Sequence, residues 1–383
     1  SSKEFLAKND NKAAVIQLKN ALQKEPNLGE ARFLLGKALL ESGDAPGAEV
    51  ELRKALALKY SVDQTIPLLT KALLATGQAK KLIDEFAKAQ LGSGEPMASL
   101  QTTLSSAYAV QGNREAAEKS LAAALSAQPD YAPAQLADAR NKASKGKLDE
   151  AQAVIDSVLA KNPKHPEALL LNGTLLAVKG NTDAALAIYR KAVEAKPDYL
   201  VAHSAVISTL LQQQKFDEAG KEIDALKKIA PKHPQTIYLD AQASYQRKDF
   251  KATRALTQQL LRLAPNNPNA LQLAGAAEYQ LQSYLQAEAY FGKALQQAPD
   301  LLIARRLLVA TYLRTGQPAK ALSTLQPVFG KIDNDPAMLS LAGESYLQNG
   351  DAIKATEYFT KASKLDPENA TRKTSIALSQ IAQ

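Results

Sequence analysis

Six prolines recur through the middle of the chain at a constant spacing of 34 residues. They are Pro129, Pro163, Pro197, Pro231, Pro265 and Pro299. A fixed period of this size indicates stacked copies of one supersecondary element, because a single small copy cannot bury its apolar face alone. The period therefore predicts one elongated array for the 383 residues instead of two or three separate globular domains.

The period divides the chain into repeats, each numbered so that the recurring proline takes place 32. Ten full repeats then begin at residues 29, 63, 98, 132, 166, 200, 234, 268, 302 and 336. Place 15 is glycine in seven of the ten repeats. Glycine takes the left-handed conformation that ends a helix without steric cost. Each repeat is therefore predicted to contain a first helix of about 13 residues, a turn and a second helix.

Small residues recur at the places where two such helices must approach closely. Place 20 is alanine in eight repeats, place 27 is alanine in six, and place 8 is glycine in four, while place 24 is aromatic or aliphatic in nine. With proline at place 32, this combination resembles the tetratricopeptide repeat. The resemblance implies an all-α fold, a right-handed α-α superhelix that forms a single solenoid over residues 1–383. Residues 1–28 fit a partial repeat, and residues 370–382 fit a terminal first helix.

The repeat that begins at residue 63 departs most from the pattern. It has Leu82 where alanine is expected, Pro67 inside its first helix, and one additional residue. It ends in the sequence Gly-Ser-Gly-Glu-Pro at residues 92–96. Glycine and proline at this density favour a flexible joint, so residues 92–96 are predicted to be a hinge.

Residue types that carry chemistry are scarce. Cysteine is absent from the sequence, which excludes disulfides, thiolate metal sites and cysteine nucleophiles within it, and there are only three histidines. No phosphate-binding loop, dinucleotide-binding glycine motif or zinc-protease motif occurs. No apolar run is long enough to cross a membrane. We therefore expect no catalytic residues, no cofactor and no metal, and hence no enzyme.

The net charge of +8 originates mainly in the centre of the chain. The basic residues there include Arg140, Lys142, Lys145, Lys147, Arg247, Lys248, Lys251 and Arg254. Such residues attract an acidic polymer or an acidic protein face. The alternative is that they form solvated helix ends and loops.

The resemblance implies that function lies on a concave groove, lined by places 2, 5, 9, 12 and 13 of the first helices. From residue 200 onward these places are rich in glutamine, tyrosine and arginine. The candidate groove residues are Gln212, Tyr238, Tyr245, Gln246, Gln272, Tyr279, Gln280, Arg306, Arg314 and Gln348. Amides with interleaved tyrosines suit hydrogen bonds to an extended peptide or stacking on sugar rings. The alternative is that glutamine serves only as an exposed helix former.

Residues 16–56 resemble, more narrowly, the opening of the tetratricopeptide-repeat lipoproteins of the PEP-CTERM/exosortase system. This resemblance implies a scaffold for envelope proteins in exopolysaccharide production or export or in protein sorting, with periplasmic or outer-membrane location. A cytoplasmic location and direct binding of an acidic polysaccharide are the alternatives. No nucleic-acid partner is expected. Members of that group carry a lipidated cysteine, so membrane contact is expected only through an anchor that this sequence does not contain.

Overall fold

The computed structural model describes residues 11–383, and this part of the chain is helical throughout. It contains 22 α-helices and one 3-10 helix, Gln326–Lys331, with no β-strand among the described residues. The all-α fold predicted from the period is confirmed. The α-helices are α1 (Asn11–Lys24), α2 (Gly29–Glu41), α3 (Ala45–Ala57), α4 (Val62–Ala75), α5 (Ala79–Phe86), α6 (Glu95–Val110), α7 (Arg114–Ala127), α8 (Ala132–Ser144), α9 (Leu148–Lys161), α10 (Pro166–Val178), α11 (Thr182–Ala195), α12 (Leu200–Gln212), α13 (Phe216–Ile229), α14 (Pro234–Gln246), α15 (Phe250–Leu263), α16 (Pro268–Gln280), α17 (Tyr284–Gln297), α18 (Leu302–Arg314), α19 (Pro318–Leu325), α20 (Pro336–Gln348), α21 (Ala352–Leu365) and α22 (Ala370–Ile381).

The chain divides into two compact halves between Pro197 and Asp198. The described part of the N-terminal half contains α1 to α11, and the C-terminal half contains α12 to α22. Helix α1 corresponds to the second helix of the predicted partial repeat, whose residues 1–10 lie outside the described part. Helix α22 corresponds to the predicted terminal helix. One continuous solenoid over residues 1–383 stays a prediction.

The first helices begin and end where the 34-residue period predicts. All ten end at place 13, and eight of the ten begin at the predicted start of the repeat. The exceptions are α4, which begins one residue early at Val62, and α6, which begins three residues early at Glu95. Helix α6 starts early because Gly94, at φ 85°, precedes it directly and Pro96 lies in its first turn.

The turn after each first helix adopts the left-handed conformation at place 15. The seven glycines at this place have φ values between 69° and 86°. The other three repeats reach the same conformation with Gln214, Lys248 and Gln282, at φ 57°, 63° and 59°. A side chain at such a φ brings its Cβ atom close to the backbone, so these three turns are strained.

Close packing between the two helices of a repeat explains the glycines at place 8. A Cβ atom at Gly275 would lie 2.7 Å from the ring of Phe291, and one at Gly343 would lie 2.7 Å from Phe359. No side chain fits these distances without moving the ring. The alanines at place 20 are fully buried in most repeats, as Ala287 illustrates. The places that recur in the sequence are therefore packing places.

The first helices lie on the inner side within each half. Each first helix contacts the next first helix of its half, whereas no contact of comparable extent joins successive second helices among the described residues. A stack whose first helices are closer together than its second helices curves towards the first helices. The surface they present is called here the inner surface, and it is the surface that the sequence predicts to bind a partner.

The segment at residues 92–96 is attached to α4, the first helix of the same repeat. The backbone N–H of Gly92 donates a hydrogen bond of 2.9 Å to the carboxylate of Asp63. One hydrophobic core includes Leu82 before the segment and Leu100 after it, both fully buried. The residues on both sides of the predicted hinge thus belong to the same core. Bending at this segment stays a prediction.

Candidate functional site

Place 13 forms a row of side chains along the inner surface of the C-terminal half. Each member is the last residue of its first helix, and each is exposed. The place-13 row consists of Gln212, Gln246, Gln280, Arg314 and Gln348. Because a helix interior would restrict these side chains more, their position at helix ends leaves them free to reach towards a ligand.

Three amide side chains of the place-13 row have no hydrogen-bond partner among the described residues. The side chains of Gln212, Gln246 and Gln280 make no hydrogen bond or ion pair with any described residue. Gln348 differs, because its Nε2 donates to Oε1 of Glu344 at 3.2 Å. A free glutamine amide offers two donors and an acceptor. The row therefore presents unused hydrogen-bonding groups in three successive repeats.

A cavity of about 580 Å³ lies at the other end of the row. It brings together three of the predicted residues, Tyr279, Arg314 and Gln348, with the carboxylate of Glu344 and the apolar Leu341. The Tyr279 hydroxyl raises the pKa of Arg314, and Tyr284 and Glu344 contribute to the same shift. The guanidinium is thus held charged beside a phenol hydroxyl, with the Glu344 carboxylate in the lining of the same cavity.

The tyrosines at place 12 are only partly available. Tyr245 packs edge to face on Phe250 at 5.3 Å between ring centroids, and Tyr279 packs in the same way on Tyr284 at 5.5 Å. Both tyrosines are half-buried. Because one part of each ring is already packed against the second helix of its own repeat, they support the inner surface more than they form an open stacking platform.

The predicted residues at place 5 lie deeper than the row. Tyr238 is half-buried and its hydroxyl accepts a hydrogen bond of 3.1 Å from Nε2 of Gln242. Burial raises the pKa of Tyr238, and the bond from Gln242 partly opposes this. Gln272 and Arg306 are also half-buried, and the Oε1 atom of Gln272 is buried without a partner. Place 5 is about 12 Å from place 13 along a helix, so these residues form a separate strip.

Two features of this surface were not predicted from the sequence. Glu344, at place 9, lines the cavity with Arg314. Two positions after the place-13 row, three repeats have a strained and exposed residue at place 15. These residues are Gln214, Lys248 and Gln282. The signal for the latter was present, because glycine occupies place 15 in the seven other repeats.

Ion pairs neutralise much of the central basic charge. Lys142 pairs with Asp138 at 2.6 Å, and Lys147 pairs with Glu150 at 3.1 Å. Two further pairs join neighbouring repeats, Lys145 with Glu118 and Arg254 with Glu278, each at 2.6 Å. The solvated interpretation of these residues therefore fits better than an exposed cationic patch.

The described residues contain neither a metal site nor a membrane-spanning helix. Within residues 11–383, no group of three or more His, Asp or Glu side chains is arranged to hold a metal ion. None of the helices in that range combines the length and apolar character required to cross a bilayer.

Family models identify the repeat. Three models described as tetratricopeptide repeat match residues 2–59 and 136–199, residues 176–243 and 278–344, and residues 98–131 and 336–369. Together they match well over half of the chain. Repeats of this kind generally mediate protein–protein interactions as scaffolds. No curated protein matches the chain.

Solved structures share the fold at low identity. A tetratricopeptide repeat protein from Parabacteroides merdae is 17% identical with a TM-score of 0.50, covering 65% of this chain and 98% of its own. The APC/C hetero-tetramer Cut9-Hcn1 is 16% identical with a TM-score of 0.50, covering 100% of this chain and 82% of its own. PilF of Pseudomonas aeruginosa is 17% identical with a TM-score of 0.50, covering 57% of this chain and 97% of its own. At these identities the likeness concerns the fold alone, and together with the family models it leads to one conclusion: the chain belongs to the tetratricopeptide repeat family.

Proposed function

We propose that the inner surface of the C-terminal half binds an extended segment of a protein partner, so that the chain acts as a scaffold. The observation that carries the proposal is the set of free amides at Gln212, Gln246 and Gln280. An extended peptide presents a backbone donor and acceptor at every residue except proline. Free amides in three successive repeats suit such a backbone better than they suit one compact ligand.

The strained turns support the same surface. A side chain in the left-handed conformation costs about 1 kcal/mol, and glycine would relieve this cost at Gln214, Lys248 and Gln282. Backbone strain of this kind clusters at functional sites. We infer that these three exposed side chains extend the partner-binding surface beyond the place-13 row.

The cavity at Arg314 supplies a place for one partner side chain. Its volume of about 580 Å³ exceeds that of a single side chain, and its walls combine Leu341 with the charged groups of Arg314 and Glu344. A side chain with an apolar stem and a polar end satisfies both kinds of wall. Such an anchor fixes the register of the segment along the free amides.

Binding without catalysis is part of the proposal. The three histidines, the residues most often used in acid–base catalysis, have other roles. His165 and His233 accept backbone hydrogen bonds at the starts of α10 and α14, at 3.3 and 3.2 Å. His203 is buried, with its Nδ1 atom 2.5 Å from Oε1 of Glu222. Turnover of any substrate by the purified full chain, lost on changing one of these residues, would contradict this part.

The test compares two triple variants of the full chain. The inner variant carries Gln212→Ala, Gln246→Ala and Gln280→Ala. The outer variant carries the same change at exposed glutamines of the second helices, Gln286→Ala, Gln296→Ala and Gln297→Ala. Both are immobilised beside the wild type, and the proteins retained from an extract of the producing cells are quantified by mass spectrometry.

We expect one partner to be retained equally by the wild type and the outer variant and to fall at least tenfold with the inner variant. Unchanged helicity and melting temperature establish that both variants fold. Equal retention of every protein by the inner and outer variants would contradict the proposal.

Direct binding of an acidic polysaccharide by the groove and the central basic residues is the competing proposal. The ion pairs of Lys142, Lys145 and Lys147 leave less free positive charge for it. Titration of the full chain with an acidic oligosaccharide distinguishes the two, because polymer binding would be saturable and weakened by salt.

The cellular setting is a separate proposal. The resemblance of residues 16–56 supports an envelope system for exopolysaccharide production or export or for exosortase sorting. The family models match the repeat without a subgroup, so this resemblance stands alone. Fractionation of cells that express the chain from its own gene tests it: recovery with periplasm or outer membrane supports it, and recovery with cytoplasm contradicts it.

A further inference from the structure

A second cavity lies in the N-terminal half, between α6, α7 and α8. Its volume is about 620 Å³, which is within the range of small-molecule binding sites. It opens on the inner surface through place 9 of two successive repeats, Ser106 and Arg140. We call it the α6–α8 cavity.

Small side chains create the space. Ser105 takes place 8, and its hydroxyl donates a 2.7 Å hydrogen bond to the carbonyl of Ala117, which binds α6 to α7. Ala109 on α6 and Ala137 on α8 both line the cavity, and Leu121 of α7 contributes apolar surface. A larger side chain at either alanine would occupy part of this space. Part of the lining is thus apolar.

Another part of the lining is cationic. Arg114, Arg140 and Lys145 line the cavity with one acidic residue, Glu118. The 2.6 Å ion pair between Lys145 and Glu118 is internal to this set, and its hydrogen bond lowers the pKa of Glu118. The side chains of Arg114 and Arg140 make no hydrogen bond or ion pair with a described residue, although the charge of Arg114 also acts on Glu118. The charged residues of the lining therefore leave a net excess of positive charge in the cavity.

The two arginines differ from the other cations around them. Lys142 and Lys147, the neighbours of Arg140 on α8 and in the following turn, both pair with carboxylates. The amide of Asn141, which also lines the cavity, has no side-chain partner among the described residues. Unpaired arginines in one partly enclosed site offer planar forks of N–H donors that match carboxylate and phosphate groups.

We propose that the α6–α8 cavity binds an organic anion. Its carboxylate or phosphate group contacts Arg114 and Arg140, and a compact apolar part contacts Ala109 and Ala137. This inference goes beyond the proposed function, because it concerns a different half of the chain and a small ligand. The same chemistry has two sources, a free anion or an acidic side chain of a bound protein, and the experiment separates them.

The test is isothermal titration of the full chain at 0.15 M salt with phenyl phosphate, and then with a blocked Ala-Glu-Ala tripeptide. We expect saturable binding of phenyl phosphate to one site. The double variant Arg114→Gln with Arg140→Gln is expected to lower the affinity for phenyl phosphate at least tenfold. The control variant, Lys147→Gln with Lys161→Gln, removes the same charge from exposed residues of this half that do not line the cavity. It is expected to bind within twofold of the wild type.

A cavity-filling variant keeps the test independent of charge. Ala109→Leu changes an exposed residue and leaves every arginine in place, yet it is expected to weaken binding at least tenfold by occupying the site. Binding of the tripeptide in competition with phenyl phosphate assigns the site to an acidic protein side chain, and binding of phenyl phosphate alone assigns it to a free anion. No saturable binding of either probe, or equal weakening by the two charge variants, overturns the proposal.

Discussion

Place 13 differs between the two halves although the same packing places build both. In the N-terminal half it holds Glu41, Ala75, Val110, Ser144 and Val178, and in the C-terminal half it holds four glutamines and one arginine. Val110 and Val178 are 69% and 64% exposed. A mostly apolar cavity of about 410 Å³ adjoins Val178. The packing places are shared because they fix the fold, and the exposed places differ because packing does not constrain them.

The turns at place 15 show the same division. All five in the N-terminal half are glycine, whereas three of the five in the C-terminal half are strained residues with side chains. The halves thus combine different inner surfaces with different local strain. From this contrast we infer that the C-terminal half is the part adapted to hold a protein segment.

The largest expected effect concerns the ion pairs between repeats. In the C-terminal half, Arg254 on α15 bonds both carboxylate oxygens of Glu278 on α16, at 2.9 and 2.6 Å, and Glu278 is 4% exposed. Arg254→Met leaves this buried carboxylate without its partner. We expect the free energy of unfolding of the full chain, from urea denaturation, to fall by about 3–5 kcal/mol.

Two further variants decide whether burial is the reason. Changing both partners, Arg254→Met with Glu278→Leu, is expected to recover most of the lost stability, because no buried charge remains. Lys145→Met breaks the exposed pair with Glu118 in the N-terminal half and is expected to leave the urea midpoint unchanged. Equal losses of stability for Arg254→Met and Lys145→Met would contradict the expectation that the buried pair contributes more than the exposed pair.

The place-15 turns give the next largest effect. Lys248→Gly is expected to stabilise the chain by about 1 kcal/mol, since glycine adopts its φ of 63° without strain. The reverse change in the N-terminal half, Gly146→Lys at φ 77°, is expected to destabilise by about the same amount. Urea denaturation measures both, and a loss of stability for Lys248→Gly would contradict the strain assigned to this turn.

A smaller effect depends on pH and concerns Glu49 in the N-terminal half. Burial alone raises the pKa of Glu49, but hydrogen bonds from Lys81, Gln78 and Arg53 outweigh it and lower the pKa from 4.5 to about 2. Because the folded chain has the lower pKa, these bonds stabilise the fold above about pH 4.5 and are lost as the pH falls towards 2.

Glu49→Gln is therefore expected to lower the melting temperature at pH 7, and this difference from the wild type is expected to shrink steadily as the pH falls towards 2. Calorimetry across this range measures the difference. The exposed Glu150, paired only with Lys147, provides a control whose change to Gln is expected to have little effect at any pH. A difference between wild type and Glu49→Gln that is independent of pH would contradict the assigned shift.

The positions of the helices could be predicted from the period because the residues that begin and end a helix act locally. Glycine at place 15 ends a helix through its own backbone, and proline at place 32 acts within one turn, so the length of each first helix could be predicted closely. The cavities were not predicted, because each depends on side chains from three helices that are distant in sequence. The α6–α8 cavity, for instance, needs Ala109 of α6 and Ala137 of α8 to line the same space.

The predicted groove residues divide in the same way. The place-13 row could be predicted because exposure at a helix end follows from the register alone. The exposure of the tyrosines could not be predicted in the same way. The rings of Tyr245 and Tyr279 pack partly against Phe250 and Tyr284, which follow the turn. The aromatic residues at place 17 carried that signal in the sequence.

Site-specific photo-crosslinking at place 13 tests the central claim most directly. A photoreactive residue replaces Gln246 or Gln280 in the C-terminal half, Val110 in the N-terminal half, or Gln286 on a second helix, and the full chain is irradiated in its own cells. We predict that one protein crosslinks at both Gln246 and Gln280, through one continuous segment, and at neither of the other positions. Crosslinks of equal yield at Gln286, or at Val110 alone, would contradict the account.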